Sequence, residues 1–268
     1  MVHRLLSYLP PELPQRKYHE PFAGAANLFF NLAPQSAIVS DLNQHLIECY
    51  RQVRENDAQV GIYVREHERR NCKDHYYDVR DQYNRSSFGA AQAARFIYLN
   101  QTCFNGIFRV NMKGEFNVPY GDKPNPAFPS SQELARASKA LQHATLTTAD
   151  YETALGKVQV DDFVYLDPPY PPLNGTSYFT HYTPDRFGTD DQERLAAFAH
   201  DLDHQGSLFL MTNADLPEIR KLYSGFRFWE LSVTRYVSCK GARYKVNELV
   251  ITNYKPDIKG QKKNKAKN

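Results

Sequence analysis

Four consecutive residues, Asp167-Pro168-Pro169-Tyr170, directly follow the apolar segment DFVYL at 162–166. In an open α/β sheet, ligands bind beyond the carboxyl ends of the strands, so a strand at 162–166 directs Asp167 into such a site. Proline restricts the residue before it to extended geometry, so the Asp167 carboxylate and the Pro168 carbonyl form two rigid, adjacent acceptors. Such a pair suits an exocyclic amino group, and Tyr170 offers a flat face for stacking on a base. A proline turn with a capping aspartate is the structural alternative.

A turn of small residues, EPFAGAA at 20–26, precedes a predicted helix that starts at Asn27. Such a turn between a strand and a helix lets a cofactor approach backbone N–H groups. Asp41 ends the next predicted strand, where a carboxylate can hydrogen-bond ribose hydroxyls. The sequence contains neither G-x-G-x-x-G nor G-x-x-x-x-G-K-[ST], so a nucleoside without a pyrophosphate fits the turn better than a dinucleotide. Purely structural turns of this kind are common, and the pattern alone does not identify a cofactor.

The elements that must position these residues alternate between strand and helix at both ends of the chain. The predicted strands lie at 18–22, 36–40, 144–148, 162–166 and 207–212, and the predicted helices at 27–32, 42–55, 190–202 and 216–224. Alternation of this kind favours a parallel sheet. Segments 226–233 and 245–253 are typical of a closing antiparallel pair. The predicted fold is α/β, a doubly wound Rossmann-like sheet with an antiparallel closing hairpin.

The middle of the chain interrupts this alternation and is rich in Arg, Asn, Tyr and Gln. A charged helix pair at 59–83 and a helix at 90–100 precede a polar-aromatic segment at 104–121 that is too long for an idle connection. We therefore predict a mostly helical inserted subdomain at 57–142, within a core formed by 1–56 and 143–254. Residues 255–268 hold six lysines and one aspartate, a charge of +5, which is typical of a disordered basic tail.

Composition excludes several classes of protein. The chain has 268 residues, 41% of them hydrophobic, which is enough for a large folded core and argues against disorder. No apolar run approaches the ~18–20 residues that span a bilayer, and early prolines argue against a secretion signal. The four cysteines form no CxxC pair, which indicates reduced thiols, and no histidine has metal-ligand spacing, so we expect no metal. Since the total charge is +3, residues 1–254 carry −2, and nucleic-acid binding must depend on local patches.

Taken together, these residues resemble the Dam-type, D12 class DNA adenine-N6 methyltransferases over nearly the whole chain and in the family's order. The matching segments are EPFAGAANLFF, DLNQHLI, NQTCFNGIFRVN, GEFNVPYG, YLDPPY, YFTHYTPDRF, FLMTNAD and ELVITNY. The resemblance implies a methyltransferase sheet that transfers a methyl group from S-adenosylmethionine to N6 of a flipped adenine, with GATC as the suggested site. Asp167 and the Pro168 carbonyl would hold both N6 hydrogens and favour the pyramidal, nucleophilic nitrogen.

The resemblance also implies roles for individual residues. Asp41 would bind the cofactor ribose, Asp150-Tyr151 would contact the cofactor adenine, and Tyr170 would stack on the flipped base. The catalytic set is Asp167, Pro168, Pro169 and Tyr170, and the cofactor-binding set is Glu20, Phe22, Gly24, Asp41, Asp150, Tyr151 and Asp167.

DNA contacts are expected from the insert and from one basic segment. By resemblance, Phe104 lies where an aromatic side chain wedges into the duplex, and Arg109 lies where an arginine reads O6 and N7 of guanine. A hairpin core for Phe104 and Phe108 is the structural alternative. The basic segment has no acidic residue from 231 to 247 and suits phosphate contacts, although a solvated hairpin face fits equally. The DNA-binding set is Phe104, Asn105, Ile107, Arg109, Asn111, Pro119, Arg235, Lys240, Arg243 and Lys245.

Two alternative functions stay open from the residues. Family members carry a Lys-Trp-x-Gly-Gly-Lys-like segment before an LLxxLP motif, whereas here only Met1 to Arg4 precede LLSYLP. A catalytically silent DNA-binding protein with the same fold is therefore one alternative. An N4-cytosine or RNA methyltransferase is the other, since the chemistry of DPPY alone allows it. We expect double-stranded DNA as a partner, a cognate restriction endonuclease acting on the same site as a second, and the cytoplasm of a bacterial or phage-infected cell as the location.

Overall fold

The computed structural model describes residues 2–171, 187–236 and 243–257, with side chains described outside 233–236 and 243–246. Within these residues, seven strands form one sheet. The strands are β1 (Tyr18–Glu20), β2 (Ala37–Asp41), β3 (Ala144–Thr148), β4 (Phe163–Leu166), β5 (Leu208–Ala214), β6 (Arg227–Tyr236) and β7 (Arg243–Thr252). The helices are α1 (Val2–Leu5), α2 (Asn27–Leu32), α3 (Gln44–Arg69), α4 (Lys73–Arg85), α5 (Ala90–Thr102), α6 (Ser131–Leu141), α7 (Tyr151–Leu155), α8 (Thr189–His204) and α9 (Pro217–Leu222).

The strand order is β3-β2-β1-β4-β5-β7-β6. β1 pairs in parallel with both β2 and β4, and β4 pairs in parallel with β5, whereas β7 is antiparallel to β5 and β6. The predicted α/β sheet with its closing antiparallel pair is therefore confirmed. β2 lies on one side of β1, and β4 and β5 lie on the other. The strand order therefore reverses direction between β1 and β4, which makes this position a topological switch point, where such sheets bind ligands.

The chain divides into two compact units, Met1–Val39 with Ala149–Asn268, and Ser40–Thr148. In the first unit, β4 and β5 are almost wholly buried, and the apolar face of α8 packs against them. The contacts join Leu195, Ala199 and Leu202 to Val164 and Phe209. This core fixes the carboxyl ends of β4 and β5 beside each other, as the register pair Leu166 and Met211 shows.

The second unit contains α3 to α6 and the polar-aromatic segment after α5. The segment is a hairpin, because Cys103 bridges Tyr120 and Val110 bridges Phe116 in antiparallel fashion. The predicted insert at 57–142 falls within this unit and stays a prediction as a separate recognition subdomain. None of the described helices combines the length and the apolar content needed to cross a membrane.

The helix boundaries agree with the sequence-based prediction in part. The helix α3 is kinked at Asn56, where the backbone angles are non-helical, so the predicted break between the helices at 42–55 and 59–83 is present. The predicted pair at 59–83 divides at Cys72, whose side chain accepts a hydrogen bond from the backbone N–H of His75 at the start of α4. Helix α6, which was not predicted, begins with a capping box formed by Ser130 and Glu133. Local capping residues therefore decide boundaries that apolar periodicity does not resolve.

Candidate active site

Asp167 lies directly beyond the end of β4, next to the switch point. Its side chain is exposed, whereas every residue of β4 is buried. The Asp167 carboxylate accepts a hydrogen bond from Thr212, with 2.5 Å between Oγ1 and Oδ1, and the Tyr170 hydroxyl donates to the same oxygen at 3.3 Å. The sequence predicted Asp167 and Tyr170 as neighbours in one site, and the geometry places them in contact. Tyr170 is half-buried, so part of its ring remains accessible for stacking.

The peptide after Asp167 is held by a second set of side chains. Gln192 of α8 donates from Nε2 to the Pro169 carbonyl oxygen at 3.2 Å. Its Oε1 accepts from Nδ2 of Asn213 at 3.1 Å. Pro168 itself is buried and Pro169 is exposed. The loop of residues 167–170 is therefore held both at the carboxylate and at a backbone carbonyl.

Glu20, predicted as a cofactor-binding residue, is the last residue of β1 and is almost completely buried. The Tyr18 hydroxyl, on the same face of the strand, donates to Oε2 of Glu20 at 2.8 Å. Burial raises the pKa of Glu20 to about 8, the Tyr18 hydrogen bond opposes the rise, and the nearby Asp167 charge adds to it. The raised pKa favours the protonated form of Glu20 at neutral pH.

The predicted cofactor turn follows β1 and leads into α2. Gly24 has a φ of +46°, and a Cβ at this position would meet no atom within 4 Å, so the turn leaves open space beside its backbone. Ala26 also adopts the left-handed region, with φ +46°, which costs an L-residue about 1–2 kcal/mol. Its N–H donates to the Ala23 carbonyl at 2.6 Å and closes the turn. The open backbone at Gly24 is the kind of cradle a nucleoside cofactor can occupy.

Phe22 and Tyr151, both predicted to bind the cofactor, stack with their ring centroids 5.3 Å apart and their planes inclined by 24°. Phe187 completes the group, edge-on to Phe22 at 5.7 Å. Asp150 accepts a hydrogen bond from the Thr153 N–H at 2.6 Å and caps α7, and this backbone hydrogen bond lowers its pKa. Phe22 and Tyr151 thus come together, whereas the Asp150 carboxylate has a structural role as a helix cap.

Asp41, the predicted ribose ligand, belongs to the second unit, where it is the last residue of β2. Its Oδ1 accepts a hydrogen bond from the Asn43 N–H at 2.8 Å, and Asn43 in turn caps α3. The position after a strand agrees with the sequence-based prediction, and the turn at Asn43 fixes the direction of the carboxylate.

The hairpin of the second unit exposes the predicted DNA-contacting residues. Phe104 is 42% exposed and Ile107 is 49% exposed, and Asn105, Arg109 and Pro119 are exposed as well. Phe108, by contrast, packs against Phe96 and Phe116 at 5.5 and 5.6 Å between centroids. The hairpin-core alternative therefore holds for Phe108 and is wrong for Phe104.

Hydrogen bonds make this hairpin rigid. Arg109 Nε donates to Oδ1 of Asn117 at 2.8 Å across the two strands. Oδ1 of Asn111 accepts from the N–H groups of Lys113 and Glu115, and so shapes the tip. The helix α4 anchors the second strand of the hairpin near its tip, since Asn84 bonds both backbone polar groups of Phe116. Phe104 and Arg109 are thus presented on a fixed support.

The basic segment lies at the limit of the described structure. Lys240 lies outside the described residues. Arg235, Arg243 and Lys245 belong to β6 and β7, but their side chains lie outside the described part. Their role in phosphate contacts stays a prediction from the sequence.

Comparison with known proteins agrees with this geometry. The sequence profile of the D12 class N6 adenine-specific DNA methyltransferases matches residues 1–237. The chain belongs to the D12 class of N6 adenine-specific DNA methyltransferases. It is 38% identical over 256 residues to the type II methyltransferase M1.LlaDCHI of Lactococcus lactis subsp. cremoris, covering 93% of this chain and 90% of that protein.

Two further relatives of this D12 methyltransferase extend the comparison. The type II methyltransferase M.MjaIII of Methanocaldococcus jannaschii is 39% identical over 269 residues, covering 92% of each chain. The DNA adenine methylase of Escherichia coli K12 is 34% identical over 245 residues, covering 89% of this chain and 86% of that protein. The family confirms a site-specific DNA methyltransferase acting on adenine N6, and it implies S-adenosylmethionine as the methyl donor. The cytosine-N4 and RNA alternatives are thereby excluded.

Sequence reasoning missed four residues of the candidate site: Thr212, Gln192, Asn213 and Phe187. Thr212 and Asn213 lie in the segment FLMTNAD, which was recognised only as a strand with family resemblance. Phe187 ends YFTHYTPDRF, of which residues 178–186 lie outside the described part. Thr212 and Asn213 could have been identified as a polar pair at the carboxyl end of an otherwise apolar strand.

Proposed function

We propose that Asp167 and the Pro168 carbonyl accept the two N6 hydrogens of an adenine flipped out of duplex DNA, and that Tyr170 stacks on that base. The observation that carries the proposal is the fixed, exposed Asp167 carboxylate at the switch point, with Thr212 and Tyr170 both donating to its Oδ1. Adenine N6 is a weak nucleophile because its lone pair is delocalised into the ring. Two acceptors aimed at its hydrogens favour the pyramidal nitrogen and so stabilise the transition state.

We further propose that the turn at Gly24, the stacked rings of Phe22 and Tyr151, and Asp41 hold S-adenosylmethionine. When bound, this group supplies an electrophilic methyl on a sulfonium. The residues fit it, because the backbone at Gly24 faces open space and aromatic side chains lie beside the turn. Asp41 would accept hydrogen bonds from the ribose hydroxyls. The contribution of Glu20 would be indirect: its protonated carboxyl removes one negative charge from the neighbourhood of Asp167.

Site selection is proposed to depend on the hairpin. Arg109 is oriented through Nε by Asn117, while its terminal nitrogens, which read O6 and N7 of guanine together, make no hydrogen bond to the described residues. Phe104 would occupy the space vacated by the flipped adenine. GATC is the proposed site. Double-stranded DNA is the partner, and a restriction endonuclease acting on the same site is the proposed second partner, supported by the type II names of two relatives.

The test is methyl transfer from labelled S-adenosylmethionine to duplexes that contain GATC or a single changed base in it. Wild type should methylate the GATC adenine, and Asp167→Ala should lose at least about 100-fold in rate, since it removes an acceptor used in the transition state. Asp201→Ala, in an exposed acid of α8, is the matched control and should keep the wild-type rate. Activity that survives Asp167→Ala would refute the assigned role.

Specificity has its own variant. Arg109→Ala should lower the methylation rate on GATC duplex by about 10- to 100-fold. The ratio of this rate to the rate on duplexes with a changed guanine should also fall, because one bidentate contact carries about 1–3 kcal/mol of discrimination. Arg136→Ala, an exposed arginine of α6, is the control. An equal drop in rate on all duplexes would assign Arg109 to phosphate binding instead. A wild-type protein that binds GATC duplex without any methyl transfer would restore the silent DNA-binding alternative.

A further inference from the structure

We infer that Thr212 and Asn213, adjacent residues of β5, position the catalytic segment 167–170 through two separate hydrogen-bond paths. The inference rests on the proposed role of Asp167. It concerns residues that touch neither DNA nor cofactor in that proposal. They act through Asp167 and through the Pro169 carbonyl.

The first path runs from Thr212 to Asp167. β4 and β5 are parallel and Leu166 pairs with Met211, so the next residue along each strand brings Thr212 beside Asp167. Thr212 donates its one hydroxyl hydrogen to Oδ1 of Asp167 over 2.5 Å. This hydrogen bond joins the end of β5 to the first residue of the catalytic segment.

Burial makes this path effective. Thr212 is 0% exposed, so its hydroxyl does not exchange its partner for water. A hydrogen bond to a carboxylate is stronger in such surroundings, and it restricts rotation of the Asp167 carboxylate plane. The titratable groups that act on this carboxylate include Tyr170, Tyr165, Glu20 and Tyr18. Thr212 therefore decides which oxygen of Asp167 is turned inward and which part faces the base.

The second path runs from Asn213 through Gln192 to Pro169. Oδ1 of Asn213 accepts from the Ala214 N–H at 2.8 Å, which fixes the amide so that Nδ2 donates to Gln192. Gln192 must then present Oε1 to Asn213 and Nε2 to the Pro169 carbonyl, so one orientation satisfies the whole chain. Asn213 and Gln192 are 0% and 3% exposed. The path ties the end of the catalytic segment to α8.

The two paths are independent because consecutive strand residues point to opposite faces of a sheet. Thr212 acts on the carboxylate of Asp167, whereas Asn213 acts on the backbone two residues later. Loss of the first path should change both the rate and its pH dependence. Loss of the second should change the rate alone.

The first path is tested with Thr212→Val, Thr212→Ala and Thr212→Ser, in single-turnover methylation of GATC duplex as a function of pH. Thr212→Val keeps the volume and removes the hydroxyl, so the single-turnover rate constant should fall about 10- to 100-fold, the range for removal of a hydrogen bond to a charged group. Because donors to a carboxylate favour its charged form, the acid limb of the pH profile should move to higher pH. Thr212→Ala should move the limb in the same direction, and Thr212→Ser should recover the wild-type limb.

A structural role alone would not give this pattern. Thr252→Val, a buried threonine of β7 whose hydroxyl bonds the Tyr254 carbonyl, is the matched control and should leave the acid limb unmoved even if the melting temperature falls. Glu20 also affects the limb, but it is unchanged in all of these variants. If Thr212→Val unfolds, Thr212→Ala still decides, since it also removes the hydroxyl and adds no methyl group in place of the oxygen. An unmoved limb and rate in whichever of the two folds would overturn the first path.

Gln192→Met tests the second path. It keeps the length of the side chain and removes both hydrogen bonds, so we expect kcat to fall about 10-fold with KM for S-adenosylmethionine and the acid limb unchanged. A wild-type methylation rate in Gln192→Met would overturn the second path. A shifted acid limb in this variant would show that the two paths are not independent. Failure of the proposed function looks different: there, Asp167→Ala itself stays active. Inactive Asp167→Ala with unaltered Thr212→Val and Gln192→Met would refute the positioning roles alone.

Discussion

Glu20 and Asp167 are acidic side chains at two strand ends with different surroundings. Asp167 follows a buried strand into an exposed position, where hydroxyls donate to it. Glu20 ends β1 inside the protein, and burial raises its pKa to about 8. A buried acid with a raised pKa is a frequent feature of active sites. The sequence shows two acids at strand ends and cannot show which of them is buried.

The raised pKa of Glu20 predicts a pH-dependent stability. In the unfolded chain the Glu20 carboxyl loses its proton near pH 4.5, whereas in the folded protein it keeps the proton up to about pH 8. The free energy of unfolding should therefore fall as pH rises from about 5 to 8, by at most about 1.4 kcal/mol per pH unit. Glu20→Gln should remove this dependence. The measurement is urea unfolding of wild type and variant between pH 5 and 9. The exposed Glu193→Gln is the control, and a Glu20→Gln profile parallel to wild type would contradict the assignment.

Site residues that are adjacent in sequence could be predicted, whereas those brought together only by strand pairing could not. Asp167 to Tyr170 were predictable, because the strand, the prolines and the acid are adjacent in sequence. Thr212 was not, since it lies 45 residues from Asp167 and meets it only through the pairing of β4 with β5. Asp150 caps α7, and its predicted contact with the cofactor stays a prediction.

Among the elements, the hairpin after α5 depends most on a single close approach. A Cβ at Gly121 would lie 2.5 Å from the Cys103 carbonyl oxygen and 2.9 Å from the Phe104 nitrogen. Gly121 also donates to the Thr102 carbonyl at 2.8 Å, and Phe104 to that of Pro119 at 2.9 Å. The base of the hairpin therefore closes backbone against backbone, directly beside the proposed wedge residue.

Gly121→Ala is expected to open this base. The clash is with backbone atoms, which cannot move aside as a flexible side chain does, so we expect stability to fall by about 1–3 kcal/mol and binding to GATC duplex to weaken. Thermal melting and DNA titration measure the two effects. Gly156→Ala is the control, because its Cβ would meet its neighbours no closer than 3.6 Å. If the Gly121→Ala variant folds and binds DNA as wild type does, the geometry of the hairpin base does not affect DNA recognition.

Several boundaries were predicted from local patterns. The segments at 144–148 and 162–166 became β3, which is partly exposed, and β4, which is buried, almost without change. The predicted break after 55 coincides with the non-helical backbone at Asn56 within α3. The helix α6 was not predicted, because its start is defined by the capping box of Ser130 and Glu133 rather than by apolar periodicity.

At the scale of the whole molecule, net charge says little about DNA binding. Residues 1–254 carry −2, yet the family acts on DNA, so the basic groups that bind it are concentrated. The proposed concentration lies in the hairpin and the basic segment, with the lysine-rich tail adding affinity that ignores sequence.

Deleting residues 258–268 tests this division. The segment holds five lysines, and the preceding Pro256 is buried and is kept. The salt dependence of DNA affinity should become shallower, by up to about 0.9 in logarithmic slope for each phosphate that the tail neutralises in the intact protein, while the preference for GATC persists. Replacing the five lysines by glutamine should give the same result. Site preference that changes with the tail would contradict the division.

The position of β7 between β5 and β6 has a consequence for synthesis of the chain. β5 pairs with Arg243–Thr252 on one side, and this partner is translated last among the described strands. Until then, β5 presents an unpaired, apolar edge, the kind of surface that invites pairing between chains. Released chains that end between Ala214 and Arg243 should therefore aggregate more readily than chains that include β7, which can be measured by light scattering.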